Sequence, residues 1–201
     1  MYKPYCTEEE VKVLVYQLNL NSQLFEYAMG IAKQVHNIQV RDDGKPYLEQ
    51  HIFPIVKSVI EKNIKKDYLN EMLILSILHD VLEDDLKIDH EKFKTILGQK
   101  LYQELKLLSK KKVFNEKLTQ DEKYLRNKEM IDKLRHAPIY VRIIKIEDRL
   151  NNLLCTEAIN NIPKYIRFLK ETEDFFYTLA DSIDSEYKDL LQYQVNRLKN
   201  T

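Results

Sequence analysis

A histidine and an aspartate lie side by side in a strongly apolar stretch, and three more acids follow them closely. The pair is His79-Asp80, the apolar stretch before it is residues 73–78, and the acids after it are Glu83, Asp84 and Asp85. Charged side chains are costly to remove from water unless opposite charge is present. A divalent metal ion is the simplest source of that charge, and such an ion would make this a hydrolytic site.

The spacing of these acids fits a helix. We expect one helix over about residues 67–83, in which His79 shares a face with Glu83, and Asp80 shares a face with Asp84. The acids then lie near the helix C-terminus, where the helix dipole disfavours each carboxylate by roughly 0.3–1 kcal/mol. A bound cation would offset this cost. The alternative is that the acidic run is only a solvated helix end.

A second polar patch lies further along the chain. If this segment is helical, one face carries Lys145, Asp148, Arg149 and Asn152. Lys145 and Arg149 are like charges one turn apart, which is mildly unfavourable unless an anion lies between them. Asp148 could then reach a metal while its neighbours meet phosphate or a base. The alternative is surface ion pairing, of Lys145 with Glu147 or of Asp148 with Arg149.

A further histidine, His51, follows the turn at Gly44. An isolated histidine is more often structural than a metal ligand. Together with His79, Asp80 and Asp148, however, it makes a set of two nitrogen and two oxygen donors. Such a set suits Mn²⁺, Fe²⁺ or Zn²⁺ better than Ca²⁺ or a metal that prefers thiolates. The ion would join three helices.

The hydrophobic periodicity predicts an all-α fold, a single helical bundle. The chain has only three glycines, and the β-branched run at 139–146 is the one stretch that favours a strand. We predict a helix there too, because apolar residues continue at spacings of three and four. The other expected helices are one after a Thr7–Glu10 capping box, 22–36, 51–60, 67–83, a short one between Asp89 and Gly98, 100–108, 121–134, 165–179 and 185–198, with loops at 37–47 and 109–117.

The composition restricts the kinds of partner and the cellular compartment that we expect. Lys plus Arg and Asp plus Glu balance at 32 each in 201 residues, which argues against a nucleic-acid partner. No stretch approaches the roughly 18 apolar residues of a membrane span. Two cysteines without a CxxC motif, and no signal peptide, predict a cytoplasmic protein. We expect one domain over 1–201, with a motif core at about 20–180 between terminal helices at 1–20 and 181–201; the oligomeric state stays open.

Taken together, three segments resemble the HD-domain metal-dependent phosphohydrolases. More narrowly, they are similar to the (p)ppGpp hydrolase domain of the RelA/SpoT group and to its small stand-alone metazoan relatives. Their order and spacing match over about residues 20–180. The segments are His36 to Tyr47 with its Gly44-Lys45-Pro46-Tyr47 turn, His79-Asp80-Val81-Leu82-Glu83-Asp84, and Lys145-Ile146-Glu147-Asp148-Arg149-Leu150-Asn151-Asn152.

The resemblance implies an activity and a metal. The activity is removal of the 3′-pyrophosphate of guanosine alarmones, which turns (p)ppGpp into GDP or GTP plus pyrophosphate. Mn²⁺ is the implied cofactor, although another divalent ion is possible, and Glu83 and Asp84 would handle the attacking water. The implied metal ligands are His51, His79, Asp80 and Asp148.

The resemblance also implies a nucleotide site. Arg41 would lie against the base, and Asn152 would contact the nucleotide. Lys145 and Arg149 would bind phosphate or support the site from behind, and His36 would brace the loop. The partner is therefore a small-molecule nucleotide.

The chain departs from the family pattern before His51. One extra residue separates Tyr47 from His51, and Ile38 replaces the usual glycine. We expect the loop to absorb the extra residue. We also expect hydrolysis only, since no synthetase segment follows within the 201 residues.

Two alternative functions stay open. One is another HD nucleotidase acting on nucleoside monophosphates or dNTPs. The other is a non-catalytic nucleotide-binding module, which is disfavoured because all the predicted metal ligands are present.

Overall fold

Helices form all the regular secondary structure in the residues that the computed structural model describes, which are 5–20, 22–84, 88–110, 117–155 and 162–200. This confirms the predicted all-α class. Two π-helical segments, Leu48–Ile52 and Thr172–Phe176, precede α3 and α10 directly. The α-helices are α1 (Glu8–Gln17), α2 (Ser22–His36), α3 (Phe53–Asn63), α4 (Leu69–Leu78), α5 (Val81–Asp84), α6 (His90–Leu108), α7 (Gln120–Leu134), α8 (Ile139–Leu154), α9 (Ile162–Glu171), α10 (Tyr177–Asp181) and α11 (Ser185–Lys199).

Side-chain caps begin α1 and α6 where the sequence predicted them. The Glu10 amide donates to Thr7 Oγ1 at 3.2 Å, and the Thr7 amide donates to Glu10 Oε2 at 2.9 Å, so the capping box is present. Asp89 caps α6 by accepting from the amide of Lys92. Gly98, with φ of 78°, interrupts α6, as predicted for a helix stop.

Helices α4 and α8 form the centre of the fold. From Met72 to Leu78 every residue of α4 is buried, and the helix packs against α2, α3, α6 and α8, which is typical of a helix that is enclosed on all sides. Helix α8 packs against α3, α4, α10 and α11 and begins after Pro138. The β-branched run at 139–146 is therefore helical, as the spacing predicted. The candidate site lies where α4 ends against the polar side of α8.

The expected continuous helix over 67–83 is wrong. Helix α4 ends at Leu78, His79 and Asp80 form a turn, and the four-residue α5 follows. The His79 ring donates from Nδ1 to the Ser76 carbonyl at 2.8 Å, and in an unbroken helix that carbonyl would accept from the amide of residue 80. Since Glu83 and Asp84 lie in a separate short helix, the dipole argument from one long helix does not apply to them.

The segment that contains the extra residue before His51 is helical. Residues Leu48–Ile52 form a π-helical turn, which closes with the Phe53 amide donating to the Leu48 carbonyl. A π turn contains one residue more than an α turn. His51 lies in this turn, and Pro54 follows it in the first turn of α3.

Some expectations fall on residues outside the described ranges. These residues are Asp85 and the centre of the predicted 109–117 loop. In the described part of the chain, no helix combines the length and the apolar character needed to cross a membrane.

Candidate active site

Three buried side chains meet where α4 ends. Asp80 Oδ2 lies 3.1 Å from His51 Nε2 and 3.2 Å from His79 Nε2, and the two Nε2 atoms are 3.3 Å apart. Divalent metals bind these atoms at about 2.0–2.2 Å, which places neighbouring ligands about 3 Å from one another. These three residues therefore form a group that could hold a metal ion.

The fourth predicted ligand lies at the edge of this group. Asp148 Oδ1 is 3.5 Å from His51 Nε2. Its carboxylate is held on α8 by two neighbours, since Lys145 Nζ lies 2.8 Å from Oδ2 and Asn152 Nδ2 donates to Oδ1 at 2.5 Å. Lys145 therefore faces the candidate metal ligands and partly neutralises their charge.

Hydrogen bonds on the far side of each imidazole orient both histidines. His51 Nδ1 donates to Asn151 Oδ1 at 2.7 Å, and His79 Nδ1 donates to the Ser76 carbonyl. Both rings are thereby set with Nε2 toward the site, the arrangement that metal-binding histidines usually show. Asn151 is fully buried and donates to the Gln50 carbonyl at 3.2 Å. The sequence had predicted a role for its neighbour Asn152 and none for Asn151.

The electrostatics of this group favour a cation. Burial opposes protonation of His79, but the adjacent Asp80 carboxylate outweighs burial and raises the pKa of His79 to about 9. Burial also opposes ionisation of Asp80, and the two imidazoles outweigh it, so the pKa of Asp80 lies well below its ordinary value. Burial lowers the pKa of His51. Negative charge is therefore stable here only with positive charge beside it.

Tyr47 closes one side of the group. Its hydroxyl donates to Asp80 Oδ2 at 2.5 Å, and its ring lies 4.9 Å from the His51 ring and 5.2 Å from the His36 ring. Burial, with the Asp80 charge, raises the pKa of Tyr47 well above 10, so the phenol remains a donor. Tyr47 ends the Gly-Lys-Pro-Tyr turn, and its contact with Asp80 could not be predicted from the sequence.

Glu83 and Asp84, the predicted water-handling acids, border the same pocket. Glu83 Oε1 accepts from the Lys110 amide at 2.7 Å. Asp84 Oδ2 accepts from Gln39 Nε2 at 3.3 Å, and His36 Nδ1 lies 3.8 Å from the same oxygen. His36 also contacts Gln39 Oε1 at 2.7 Å, which fits the brace for the loop that the resemblance implied.

Two adjoining cavities surround these residues. We call the inner one, of about 160 Å³, the metal pocket. We call the outer one, of about 220 Å³, the outer cavity. The walls of both include Tyr47 and Asn152. The metal pocket is lined by Tyr47, His51, Asp80, Glu83, Asp84, Lys110, Lys145, Asp148 and Asn152, and the outer cavity by Val40, Arg41, Asp42, Asp43, Tyr47, Asn152, Cys155, Lys164 and Phe168.

Arg41 forms part of the wall of the outer cavity. Its Nη2 donates to Asn152 Oδ1 at 2.9 Å, and its guanidinium carbon lies 5.7 Å from the centre of the Tyr47 ring. In the same loop, Asp42 Oδ2 pairs with Lys164 Nζ at 2.5 Å. The turn after α2 is thus joined to both α8 and α9.

Arg149 lies apart from the other predicted site residues. Its Nη2 pairs with Glu171 Oε2 at 3.1 Å, and its guanidinium carbon lies 4.3 Å and 4.0 Å from the centres of the Phe168 and Phe176 rings. It lines neither the metal pocket nor the outer cavity. The structure therefore does not bring Arg149 together with Lys145 around an anion.

Comparison with a solved structure identifies the fold. The structure of a metazoan SpoT ortholog that hydrolyzes ppGpp and plays a role in starvation responses aligns with a TM-score of 0.68, over 87% of this chain and 94% of that chain. The chain has the fold of that hydrolase. The two sequences are 16% identical, so this likeness concerns the fold alone.

A curated relative matches in sequence. The guanosine-3′,5′-bis(diphosphate) 3′-pyrophosphohydrolase of Aquifex aeolicus (strain VF5) is 26% identical over 187 residues, which cover 90% of this chain and 25% of that protein. The chain thus corresponds to about a quarter of the length of this relative. No protein-family model matches the chain. The curated relative confirms in sequence the resemblance to alarmone hydrolases drawn from the three motifs, and the solved structure agrees with it in fold.

Proposed function

We propose that the chain is a metal-dependent phosphohydrolase that removes the 3′-pyrophosphate of guanosine alarmones, converting (p)ppGpp to GDP or GTP. The observation that carries this proposal is the meeting of His51, His79 and Asp80 beside a pocket that His51 and Asp80 line and that shares its wall with a second cavity. The activities in the names of the two similar proteins support it. We further propose that the chain forms one hydrolase domain.

The donor set fits a divalent ion of intermediate hardness, and Mn²⁺ is our first choice. His51, His79, Asp80 and Asp148 would hold it. When bound, such an ion polarises a phosphoryl oxygen and lowers the pKa of a coordinated water toward neutrality. Tyr47 and Asn151 would keep Asp80 and His51 in place.

Glu83 and Asp84 would orient the attacking water and accept its proton. The water oxygen forms a bond to the phosphorus that is attached to the ribose 3′ oxygen, and the bond between that phosphorus and the 3′ oxygen breaks. The 3′ oxygen takes up a proton, and pyrophosphate leaves with the oxygen of the water. Lys145, which is buried beside Asp148, offsets negative charge on the reacting phosphate.

The outer cavity would hold the nucleoside. Arg41 offers a planar guanidinium, and Phe168 offers an aromatic ring; both groups can lie against a base. Asn152 stands between the two cavities and would contact the nucleotide there. We assign Arg149 a supporting role behind the site, because Glu171 and two aromatic rings enclose it.

The test is a nucleotide panel incubated with the purified protein and Mn²⁺, with each product identified. We expect pyrophosphate from ppGpp, and we expect Asp80→Ala to lower the rate by roughly a hundredfold or more. The control is Asp181→Ala, which removes an exposed acid on α10 that pairs with Lys188. Phosphate released only from a mononucleotide would indicate another nucleotidase. Binding without turnover would indicate a non-catalytic module.

A further inference from the structure

A third cavity adjoins the metal pocket on a different side from the outer cavity. It measures about 200 Å³, and it shares Glu83 and Lys110 with the metal pocket, whereas the outer cavity shares Tyr47 and Asn152. We call it the cationic cavity. Its lining residues are Glu83, Lys110, Leu118, Lys123, Arg126, Asn127 and Arg167.

The wall of this cavity carries four cationic side chains and one carboxylate. Lys123 and Arg126 are three residues apart on α7, and both are only partly exposed. Cationic side chains therefore outnumber carboxylates in this wall, whereas the metal pocket is lined by four carboxylates and two lysines.

Arg167 adds positive charge from α9. Its Nε donates to Gln120 Oε1 at 2.7 Å, and its Nη1 donates to Glu171 Oε1 at 2.5 Å. Glu171 is fully buried and also pairs with Arg149, so one carboxylate faces two guanidinium groups. The pair of arginines therefore keeps a net positive charge behind the cavity.

We propose that the cationic cavity binds the distal phosphate of a substrate diphosphate and holds the pyrophosphate product. This inference rests on the proposed function. The three cavities adjoin in the order outer cavity, metal pocket, cationic cavity. A nucleoside, the phosphate attached to it and the distal phosphate are joined in the same order.

Charge explains why the distal phosphate enters this cavity. The carboxylates of the metal pocket repel a phosphate unless an ion lies between them. A second phosphate, one bond further out, needs cationic side chains, and lysine and arginine supply charge-assisted hydrogen bonds to it. The cavity would therefore select a nucleoside diphosphate ester over a monophosphate ester, and α7 and α9 would supply the selecting residues.

The test measures inhibition of ppGpp hydrolysis by inorganic pyrophosphate and, separately, by GDP, at fixed free Mn²⁺. We expect Lys123→Gln to raise the inhibition constant of pyrophosphate roughly tenfold and to leave that of GDP unchanged. Arg126→Gln serves as a second variant with the same expectation. The matched control is Lys128→Gln on the same helix, whose side chain is 54% exposed and lies near Asp132. Thermal unfolding checks that each variant is folded, and pyrophosphate should raise the melting temperature of the wild type more than that of Lys123→Gln.

The inference is overturned if the wild type hydrolyses ppGpp and both variants keep its sensitivity to pyrophosphate. It is also overturned if GDP inhibition weakens as much as pyrophosphate inhibition, because the cavity would then serve the 5′-diphosphate. Failure of the proposed function looks different: the wild type itself would release no pyrophosphate from ppGpp.

Discussion

Arg41 Nη2 donates a hydrogen bond of 2.9 Å to Asn152 Oδ1, across 111 residues of sequence. Asn152 in turn donates from Nδ2 to Asp148 Oδ1 at 2.5 Å. The loop that borders the outer cavity is thereby connected to a candidate metal ligand through one amide side chain. Asn152 is thus placed to couple nucleoside binding to the position of Asp148.

Asn152→Ala removes both of these hydrogen bonds. We expect the KM for ppGpp to rise roughly tenfold, because each lost charge-assisted hydrogen bond is worth about 1.5–3 kcal/mol and water replaces part of it. Steady-state kinetics measure this, with Asn70→Ala, an exposed residue of α4, as the control. An unchanged KM would remove Asn152 from the nucleotide site.

Asn151 is expected to act on the metal through His51. Asn151→Ala leaves His51 Nδ1 without its 2.7 Å partner, so the ring is free to turn or change tautomer. Loss of such a partner typically weakens metal binding 10–100-fold. Calorimetric titration of the purified protein with Mn²⁺ measures the change without reference to activity. Asn151→Asp keeps an acceptor and should retain more affinity; equal affinities in all three proteins would contradict the role.

Cys155 is a built-in probe of the outer cavity. It is partly exposed and lines that cavity, whereas Cys6 is fully buried. Burial raises the pKa of both thiols, that of Cys6 to about 12. We expect an alkylating reagent to modify Cys155 first, faster as pH rises, because the thiolate is the reactive form. GDP should slow the reaction, as measured by mass spectrometry. Equal rates with and without GDP would place the nucleoside elsewhere.

Glu10 should make stability depend on pH in the acid range. The Thr7 amide donates to its carboxylate, Lys57 pairs with it at 3.0 Å, and together they lower its pKa from 4.5 to about 2. A lowered folded-state pKa contributes stability above pH 4.5, and this contribution disappears as pH falls to about 2.

Glu10→Gln should therefore lower the free energy of unfolding at pH 7 and have less effect near pH 3. Urea denaturation at the two pH values measures the difference. The control is Glu9→Gln, an exposed neighbour in the same helical turn. A cost that does not change between pH 7 and pH 3 would show that the charge of Glu10 contributes nothing.

Much of the helical architecture could be predicted because its causes are local. Spacings of three and four, the Thr7–Glu10 box, the Asp89 cap and the Gly98 break each involve residues within a turn or two of one another. The motif around His79-Asp80 could be recognised as a candidate metal site for the same reason, because its residues are close together in the sequence.

Long-range packing explains what local spacing did not predict. The break after Leu78 depends on the His79 ring reaching back to a backbone carbonyl while it faces His51. Arg149 was expected on the Lys145 face, yet it turns to Glu171 on another helix, because a buried guanidinium needs a carboxylate wherever the fold supplies one.

The candidate ligands His51 and His79 were found from sequence by residue type, and their roles remain predictions. Asn151 behind His51, and Lys123 beside Arg167 in the cationic cavity, were not found. Asn151 is 100 residues from His51, and the residues that line the cationic cavity come from separate helices, so no local sequence pattern indicates these arrangements. The periodicity of the sequence predicts which side chains share the apolar or the polar face of a helix. The packing of α4, α7, α8 and α9 decides which polar atoms come into contact.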